Sequence, residues 1–172
     1  SGQVIATGGL SDLAKESVTN ISAVVKKLTG KDIKDYDLHV QFPGTHNVDG
    51  ESASITMATA IISAFEGVPI DQNLAMTGSL SVRGEVLPIG GVSAKIEAAV
   101  KSGIGRVVIP RSNLQDVLID DKYESMVEII PVDSLDEVLE HALVGEQEKV
   151  SLVERLAKVI DTISTTSDST LA

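Results

Sequence analysis

The stretch RGEVLPIGGVSAKIEAAVKSGIGRVVIP, residues 83–110, contains one full alternation of strand and helix patterns. Glu85–Pro88 has a strand pattern after a tight glycine turn, and the glycine pair at 90–91 then opens a helix. The β-branched run Arg106–Ile109 follows and ends at a proline. Short β-branched strands separated by helices are typical of parallel sheets covered by helices. This stretch therefore predicts an α/β fold, with the mixed sheets of an α+β arrangement.

The rest of the chain extends this alternation on both sides. Apolar residues at helical spacing predict further helices over residues 12–28, 52–66 and 147–163. Alternating or β-branched runs predict further strands over residues 4–6, 37–42, 74–82 and 128–130. Ser112 and Ser134 each precede a glutamine or glutamate by three positions, which is the spacing of a helical capping box. We therefore expect a helix to begin at each of these two serines.

The length of the chain is that of one domain. Its 172 residues are enough to bury a sizeable core. Residues 164–172 are rich in serine and threonine, so we expect a disordered tail after a domain spanning residues 1–163. The chain begins at Ser1 without an initiating methionine, which suggests a piece cut from a longer protein.

The composition excludes several classes of function. The formal net charge of −11 is the wrong sign for a nucleic-acid or anionic-membrane surface. The chain has no cysteine, so disulfides, thiolate metal sites and a cysteine nucleophile are excluded. The apolar stretch Met57–Phe65 is too short to span a bilayer. No phosphate-binding Gly-x-x-x-x-Gly-Lys-Ser/Thr motif occurs, so any dependence on ATP must come from other sequence.

Lys95 is the first candidate for chemistry. On its predicted helix it shares a face with Val92 and Ala99, which places it toward the apolar side. Burial lowers the pKa of a lysine, and the neutral amine can take a proton from a hydroxyl group. The alternative is a structural lysine whose charged end reaches the surface.

Ser52 is the second candidate, because it lies where a loop enters an apolar helix. Its hydroxyl can be exposed there, and the backbone N–H groups of Ser52, Ala53 and the first helical turn can hold a developing oxyanion. The alternative is a helix N-cap, the commonest role of a serine at such a position. Ser54 is a second hydroxyl nearby, for which we predict a packing or surface role. A serine and a desolvated lysine are sufficient for a hydrolase of the Ser–Lys type.

The histidines offer no competing site. His39, His46 and His141 have neither the spacing of metal ligands nor the pattern of a catalytic triad. We therefore expect no metal site in this chain.

The segment DGESASI, residues 49–55, resembles the proteolytic domain of Lon proteases when it is taken together with Met76–Gly78, residues 83–91 and Lys95. The resemblance continues through Val108–Pro110 and covers essentially the whole chain. The segment is closer to the archaeal, membrane-anchored B-type than to the bacterial type, in which proline precedes the serine and glycine follows the alanine. The resemblance implies a fold like the second domain of ribosomal protein S5.

The resemblance also implies an activity and its residues. The family is one of ATP-dependent serine endopeptidases that use a Ser–Lys dyad to degrade unfolded or damaged proteins. The dyad maps onto Ser52 and Lys95, and Thr77 matches the threonine that orients the lysine amine. Glu51 and Asp49 are candidates for modulating the dyad. A Glu51 carboxylate paired with Lys95 would hold the amine protonated, whereas the alternatives are a solvated loop residue for Glu51 and a turn residue for Asp49.

The partners implied by the resemblance lie outside this chain. They are a homo-hexameric ring and an N-terminal AAA+ ATPase module of the same polypeptide, which would bind ATP and Mg²⁺, whereas this domain would need no cofactor. The full-length protein would lie on the cytoplasmic side, anchored to the membrane through its N-terminal part. A non-catalytic ring-forming scaffold of the same fold remains as the alternative, because a fold alone does not determine an activity.

Overall fold

The computed structural model describes residues 4–7, 12–44 and 50–168. Within them the chain forms α-helices and β-strands in the alternating order that the sequence predicts. The helices are α1 (Asp12–Thr29), α2 (Ser54–Glu66), α3 (Val92–Lys101), α4 (Asp121–Glu124), α5 (Leu135–Ala142) and α6 (Glu146–Asp168). The strands are β1 (Val4–Thr7), β2 (Leu38–Gln41), β3 (Leu74–Met76), β4 (Ser79–Leu80), β5 (Val86–Leu87), β6 (Arg106–Pro110) and β7 (Glu128–Val132). Two short 3₁₀ helices cover Ile33–Asp35 and Arg111–Asp116.

The strands form three small sheets of both kinds. Strands β3, β6 and β7 make a parallel sheet with β6 in the centre, and β1 pairs with β2 in parallel. Strands β4 and β5 form an antiparallel hairpin. The prediction of an α/β fold with mixed sheets is therefore confirmed.

Strand β6 separates two apolar clusters. Its Val107 and Ile109 pack with Val92 and Ile96 of α3, whereas Val108 faces the larger cluster built on α1, α2, α5 and α6. Successive residues of a strand point to opposite faces, so a strand that is covered on both sides is apolar along its length. This burial fixes α3, and with it Lys95, against the central strand of the parallel sheet.

The structure corrects the predicted strand over residues 74–82. That run is divided at Thr77–Gly78 into β3, which belongs to the parallel sheet, and β4, which belongs to the hairpin. The N–H of Thr77 still donates to Val108 O of β6 at 3.0 Å, whereas the N–H of Gly78 donates to Ser52 O at 2.9 Å. The chain leaves the sheet at this point because Thr77 is the last residue whose N–H bonds β6, whereas the N–H of Gly78 bonds the segment before α2.

Three further details also differ from the expectations. No α-helix begins at Ser112, since the 3₁₀ helix Arg111–Asp116 covers this segment and has no side-chain cap. Ser134 does occupy the N-cap position of α5, but its hydroxyl makes no capping bond, and Glu137 accepts from the N–H of Asp133 at 3.1 Å. Helix α6 runs to Asp168, which is five residues beyond its predicted end at Ile163.

Among the described residues, no helix is both long enough and apolar enough to cross a lipid bilayer.

The β4–β5 turn depends on Gly84. Its φ of +88° is one that side chains rarely adopt, and a Cβ atom there would lie 2.9 Å from both Cγ1 and Cδ1 of Ile160 on α6. Gly84→Ala is therefore expected to lower the free energy of unfolding by about 2 to 4 kcal/mol, as measured by denaturant titration. Gly44→Ala is the matched control, because its φ is ordinary and its Cβ would meet nothing within 4 Å. Equal unfolding midpoints for the two variants would contradict the predicted strain.

Candidate active site

Ser52 lies in the turn that leads into α2. Thr77 and Gly78, which lie between β3 and β4, hold it there by hydrogen bonds. Its carbonyl oxygen accepts hydrogen bonds from the Gly78 N–H at 2.9 Å and from the Thr77 hydroxyl at 3.2 Å. The N–H of Ile55, in the first turn of α2, donates to Gly78 O at 3.2 Å. The hydrogen bonds of Thr77 and Gly78 therefore fix the backbone of Ser52.

Lys95 reaches Ser52 from α3. The helix begins after Gly91, whose φ of +71° lets the backbone turn into it, and Val92 and Ile96 anchor it in the core. Lys95 Nζ lies 2.8 Å from Ser52 Oγ. The structure thus brings together two side chains that are 43 positions apart in the sequence.

Thr77 contacts both Lys95 and Ser52. Its Oγ1 lies 3.3 Å from Lys95 Nζ and accepts from it, while its own hydroxyl donates to the Ser52 carbonyl. Only 5% of Thr77 is exposed. The buried hydroxyl therefore orients the lysine amine and the backbone of the serine at the same time.

Desolvation sets the protonation of Lys95. Partial burial of the ammonium lowers the pKa of Lys95 below the ordinary lysine value. Among the described residues, no carboxylate forms an ion pair with its amine. The neutral form is thus easier to reach than in an exposed lysine, and at 2.8 Å it can accept the proton of the Ser52 hydroxyl.

The backbone next to Ser52 offers hydrogen-bond donors. The N–H of Ser54 donates to Glu51 O at 3.0 Å, and that of Ile55 is used by Gly78. No described residue accepts from the N–H of Ser52 or of Ala53. These two groups are therefore available to donate to a negative oxygen that develops beside Ser52 Oγ.

Two clefts meet at the Ser52–Lys95 pair. The larger, of about 660 Å³, is lined by Gly50–Ser52, Ser79, Leu87–Gly90 and Lys95. The smaller, of about 360 Å³, lies on the other side of the pair and is lined mainly by apolar residues, among them Phe42, Met76 and Val107. Clefts of this size are typical of ligand sites, and here both give access to the same two side chains.

For Glu51 the structure shows a contact with Ser79 and not the ion pair with Lys95 that is one of its two alternatives. Its carboxylate Oε2 accepts a hydrogen bond from Ser79 Oγ at 3.0 Å, and within the described residues no ion pair joins it to Lys95. Asp49 and His46 lie outside the described residues. The Glu51 carboxylate is therefore bonded to Ser79, another residue that lines the larger cleft.

The other candidates lie away from the pair. Ser54 is 2% exposed and its hydroxyl bonds Glu51 O at 2.5 Å and Ser17 Oγ at 3.1 Å, which is the packing role predicted for it. His39 and His141 line neither cleft. Over the described ranges, no three His, Cys, Asp or Glu side chains are grouped so that they could hold a metal ion.

Two polar residues of the site region escaped the sequence analysis. Ser79 holds Glu51, and Asn113 is a buried asparagine whose side chain bonds the backbone of Ile89 at the larger cleft. Asn113 was assigned only to a capping-box pattern, and Ser79 to the interior of a strand. Neither assignment carries a signal of the contact, because both partners are more than 20 positions away.

Comparison with known proteins shows the family of this chain. A family model described as the Lon protease (S16) C-terminal proteolytic domain matches residues 1–145. An archaeal Lon protease of Methanothermobacter thermautotrophicus is 55% identical over 163 residues, which is 94% of this chain and 25% of that protein. One of Halobacterium salinarum is 56% identical over 160 residues, 92% of this chain and 23% of that protein. A Lon protease of the bacterium Azorhizobium caulinodans is 39% identical over 162 residues, 90% of this chain and 19% of that protein.

The relatives are much longer than this chain. It spans about a quarter of the length of these archaeal relatives. The similarity therefore concerns one part of those proteins, the part that the family model describes as proteolytic.

Proposed function

The chain belongs to the family of Lon protease C-terminal proteolytic domains, and from this premise we propose that it hydrolyses peptide bonds with Ser52 as nucleophile and Lys95 as general base. The observation that carries the proposal is the distance of 2.8 Å between Lys95 Nζ and Ser52 Oγ. A nucleophile and its base within hydrogen-bond reach are the signature of covalent catalysis.

The proposed reaction begins with the neutral Lys95 amine. It accepts the Ser52 hydroxyl proton as Oγ attacks the carbonyl carbon of the scissile bond, and Lys95 becomes an ammonium. The N–H groups of Ser52 and Ala53 hold the resulting oxyanion. Lys95 then donates its proton to the departing amine, which leaves an ester between the substrate and Ser52 Oγ. In the second half, Lys95 takes a proton from water, the hydroxide attacks the ester, and Ser52 recovers its proton.

Thr77 has the proposed role of orienting Lys95, and its removal tests that role. Thr77→Val keeps the shape of the side chain but loses the bonds to Lys95 Nζ and Ser52 O. We expect kcat for a peptide substrate to fall about 10- to 100-fold, because a misplaced base reacts slowly. Thr77→Ser retains the hydroxyl and is expected to stay close to the wild type. Equal losses in the two variants would show that the hydroxyl is not the group that matters.

A substitution of Glu51 distinguishes a residue bonded to Ser79 from an ion-pair partner of Lys95. Because its carboxylate bonds Ser79 rather than Lys95, Glu51→Gln is expected to change kcat/KM by no more than about twofold and to leave its pH dependence unmoved. An ion pair between Glu51 and Lys95 would have the opposite consequence. Its loss would lower the pKa of the amine, raise activity near neutral pH and move the pH profile to lower pH. A pH–rate profile of the two proteins decides between these outcomes.

We propose that the chain acts within a longer polypeptide on unfolded protein substrates. The support is its share of about a quarter of its archaeal relatives, together with the resemblance to their family. An N-terminal AAA+ ATPase module would supply ATP and Mg²⁺ binding, while the chemistry at Ser52 would need no cofactor. The working assembly would be a homo-hexamer on the cytoplasmic side, anchored to the membrane through sequence outside this chain.

The proposed chemistry is tested by trapping its covalent intermediate. The chain is mixed with a peptide p-nitrophenyl ester, quenched with acid within seconds, and its mass and peptide map are measured. We expect one acyl group per chain, attached to Ser52, and none in Ser52→Ala. Ser112→Ala is the matched control, because that serine is exposed and lies outside both clefts. An acyl group on another residue, or none on the wild type, would favour a non-catalytic scaffold.

A further inference from the structure

Asn113 is a buried polar side chain in the 3₁₀ helix Arg111–Asp116, and only 3% of it is exposed. Its Oδ1 accepts from the N–H of Ile89 at 2.9 Å, and its Nδ2 donates to Ile89 O at 3.0 Å and to Asp116 Oδ2 at 2.9 Å. The carboxamide therefore bonds both backbone groups of one residue, as a neighbouring β-strand would do.

Ile89 belongs to the wall of the larger cleft. Leu87–Gly90 lines the same cleft as Ser52, and residues 88–91 connect β5 with the helix that carries Lys95. Within the described chain, no backbone group of residues 88–90 forms a hydrogen bond with another backbone group. Asn113 is thus the hydrogen-bonding partner that the structure gives to this stretch of the wall.

Helix α3 is held by other contacts. Ser93 Oγ donates to Asp116 O at 3.0 Å and accepts from the N–H of Leu118 at 2.9 Å. Val92 and Ile96 are also buried against β6. Lys95 is therefore positioned by contacts of α3 that do not involve Asn113. The side chain of Ile89 packs against the smaller apolar cluster, but its backbone N–H and C=O bond Asn113.

We propose that Asn113 is a positioning residue for the substrate, which holds the Ile89 wall of the cleft in the shape that a bound polypeptide requires. The inference rests on the proposed peptidase function. A substitution of Asn113 should therefore affect substrate binding and not the chemical step. Loss of the carboxamide loosens the wall, whereas Ser52, Thr77 and Lys95 keep their arrangement.

The test compares Asn113→Leu with the wild-type chain. Leucine has a similar volume but cannot bond Ile89. We expect KM for a peptide substrate to rise about 10-fold with little change in kcat. The hydrolysis of p-nitrophenyl acetate, which is too small to need the wall, should stay within about twofold after subtraction of the Ser52→Ala background. A loss of folded protein alone would lower both rates together and would leave KM unchanged.

Hydrogen exchange followed by NMR provides a readout that does not depend on catalysis. The Ile89 amide should exchange at least about 10-fold faster in Asn113→Leu, while the amides of α3 keep their rates. Gln115→Ala is the matched control, an exposed side chain on the same 3₁₀ helix, and should change neither exchange nor KM. If Asn113→Leu does not fold, Asp116→Ala replaces it. That variant removes one exposed partner of the carboxamide, and KM should rise about threefold.

The outcomes separate this inference from the function on which it rests. Unchanged exchange at Ile89, or faster exchange with an unchanged KM, would overturn the role of Asn113 even in a fully active enzyme. A wild-type chain that hydrolyses neither peptide nor ester would overturn the proposed function and the substrate role together. The exchange rates would then still decide whether Asn113 holds the wall.

Discussion

Replacement of Lys95 by methionine is expected to lower kcat/KM for a peptide substrate by at least about a thousandfold. Methionine fills a similar volume but has no group that can accept the Ser52 proton. The residual rate would come from the backbone donors and from substrate binding alone. A steady-state assay on purified protein measures this loss.

The same variant should be more stable than the wild type. Because desolvation lowers the pKa of Lys95 in the folded chain, the unfolded chain binds the extra proton at pH values between the lowered pKa and the ordinary lysine value. The stability of the wild type therefore rises with pH across that window. Below the lowered pKa, the buried ammonium carries its full penalty. Lys95→Met removes this penalty, so its gain in the unfolding midpoint should be largest below the lowered pKa and should disappear above the ordinary lysine value.

Lys101→Met is the matched control for both effects. Lys101 lies on the same helix, but it is exposed and pairs with Glu97 at 3.4 Å. We expect its activity to be close to that of the wild type and its stability to change by less than about 0.5 kcal/mol. A Lys95→Met protein that stays active would exclude Lys95 as the base. One that is inactive but less stable would show that the ammonium is not penalised in the fold.

The pH dependence of the wild type is the second large effect. The proposed reaction needs the neutral amine of Lys95, so kcat/KM should fall about tenfold for each pH unit below its pKa and level off above it. Because desolvation lowers that pKa, the midpoint should lie below the range in which an exposed lysine titrates. Within the described residues no carboxylate forms an ion pair with Lys95, and desolvation is the cause of its lowered pKa, so a single ionisation should describe the acidic limb.

Measurement of kcat/KM between pH 5 and 10 in buffers of constant ionic strength checks this prediction. Thr77→Val offers an internal test, since it removes an uncharged partner of the amine and should alter the height of the profile more than its midpoint. A midpoint at or above the ordinary lysine value would contradict the desolvated base. A rate that falls with rising pH through the same region would assign a proton-donating role to the group that titrates.

Most of the secondary structure could be predicted because burial on one face imposes a regular spacing. Helices α1, α2 and α3 lie where their apolar positions and terminal glycines predict them, and β6 and β7 were recognisable as β-branched runs. The break between β3 and β4 could not be predicted. The only local sign of it is the single glycine at position 78, whereas the break results from bonds to Ser52 and Ile55, more than 20 positions away.

The candidate site shows the same division. The residue types and their local motifs pointed to Ser52, Lys95 and Thr77, and the structure brings these three together within 3.3 Å. The contacts that surround them depend on distant partners. Glu51 bonds Ser79 across 28 positions and Asn113 bonds Ile89 across 24, and no local pattern distinguishes such a serine or asparagine from one in a turn.

The most direct test of the proposed Ser52–Lys95 peptidase is cleavage of an unstructured, casein-type substrate by the 172-residue chain, followed by gel electrophoresis and mass spectrometry. The wild type is compared with Ser52→Ala and with the exposed control Ser112→Ala. We expect peptide products from the wild type and from Ser112→Ala, and a rate at least about a thousandfold lower from Ser52→Ala. Undiminished cleavage by Ser52→Ala, or no cleavage by any of the three, would contradict the proposed function.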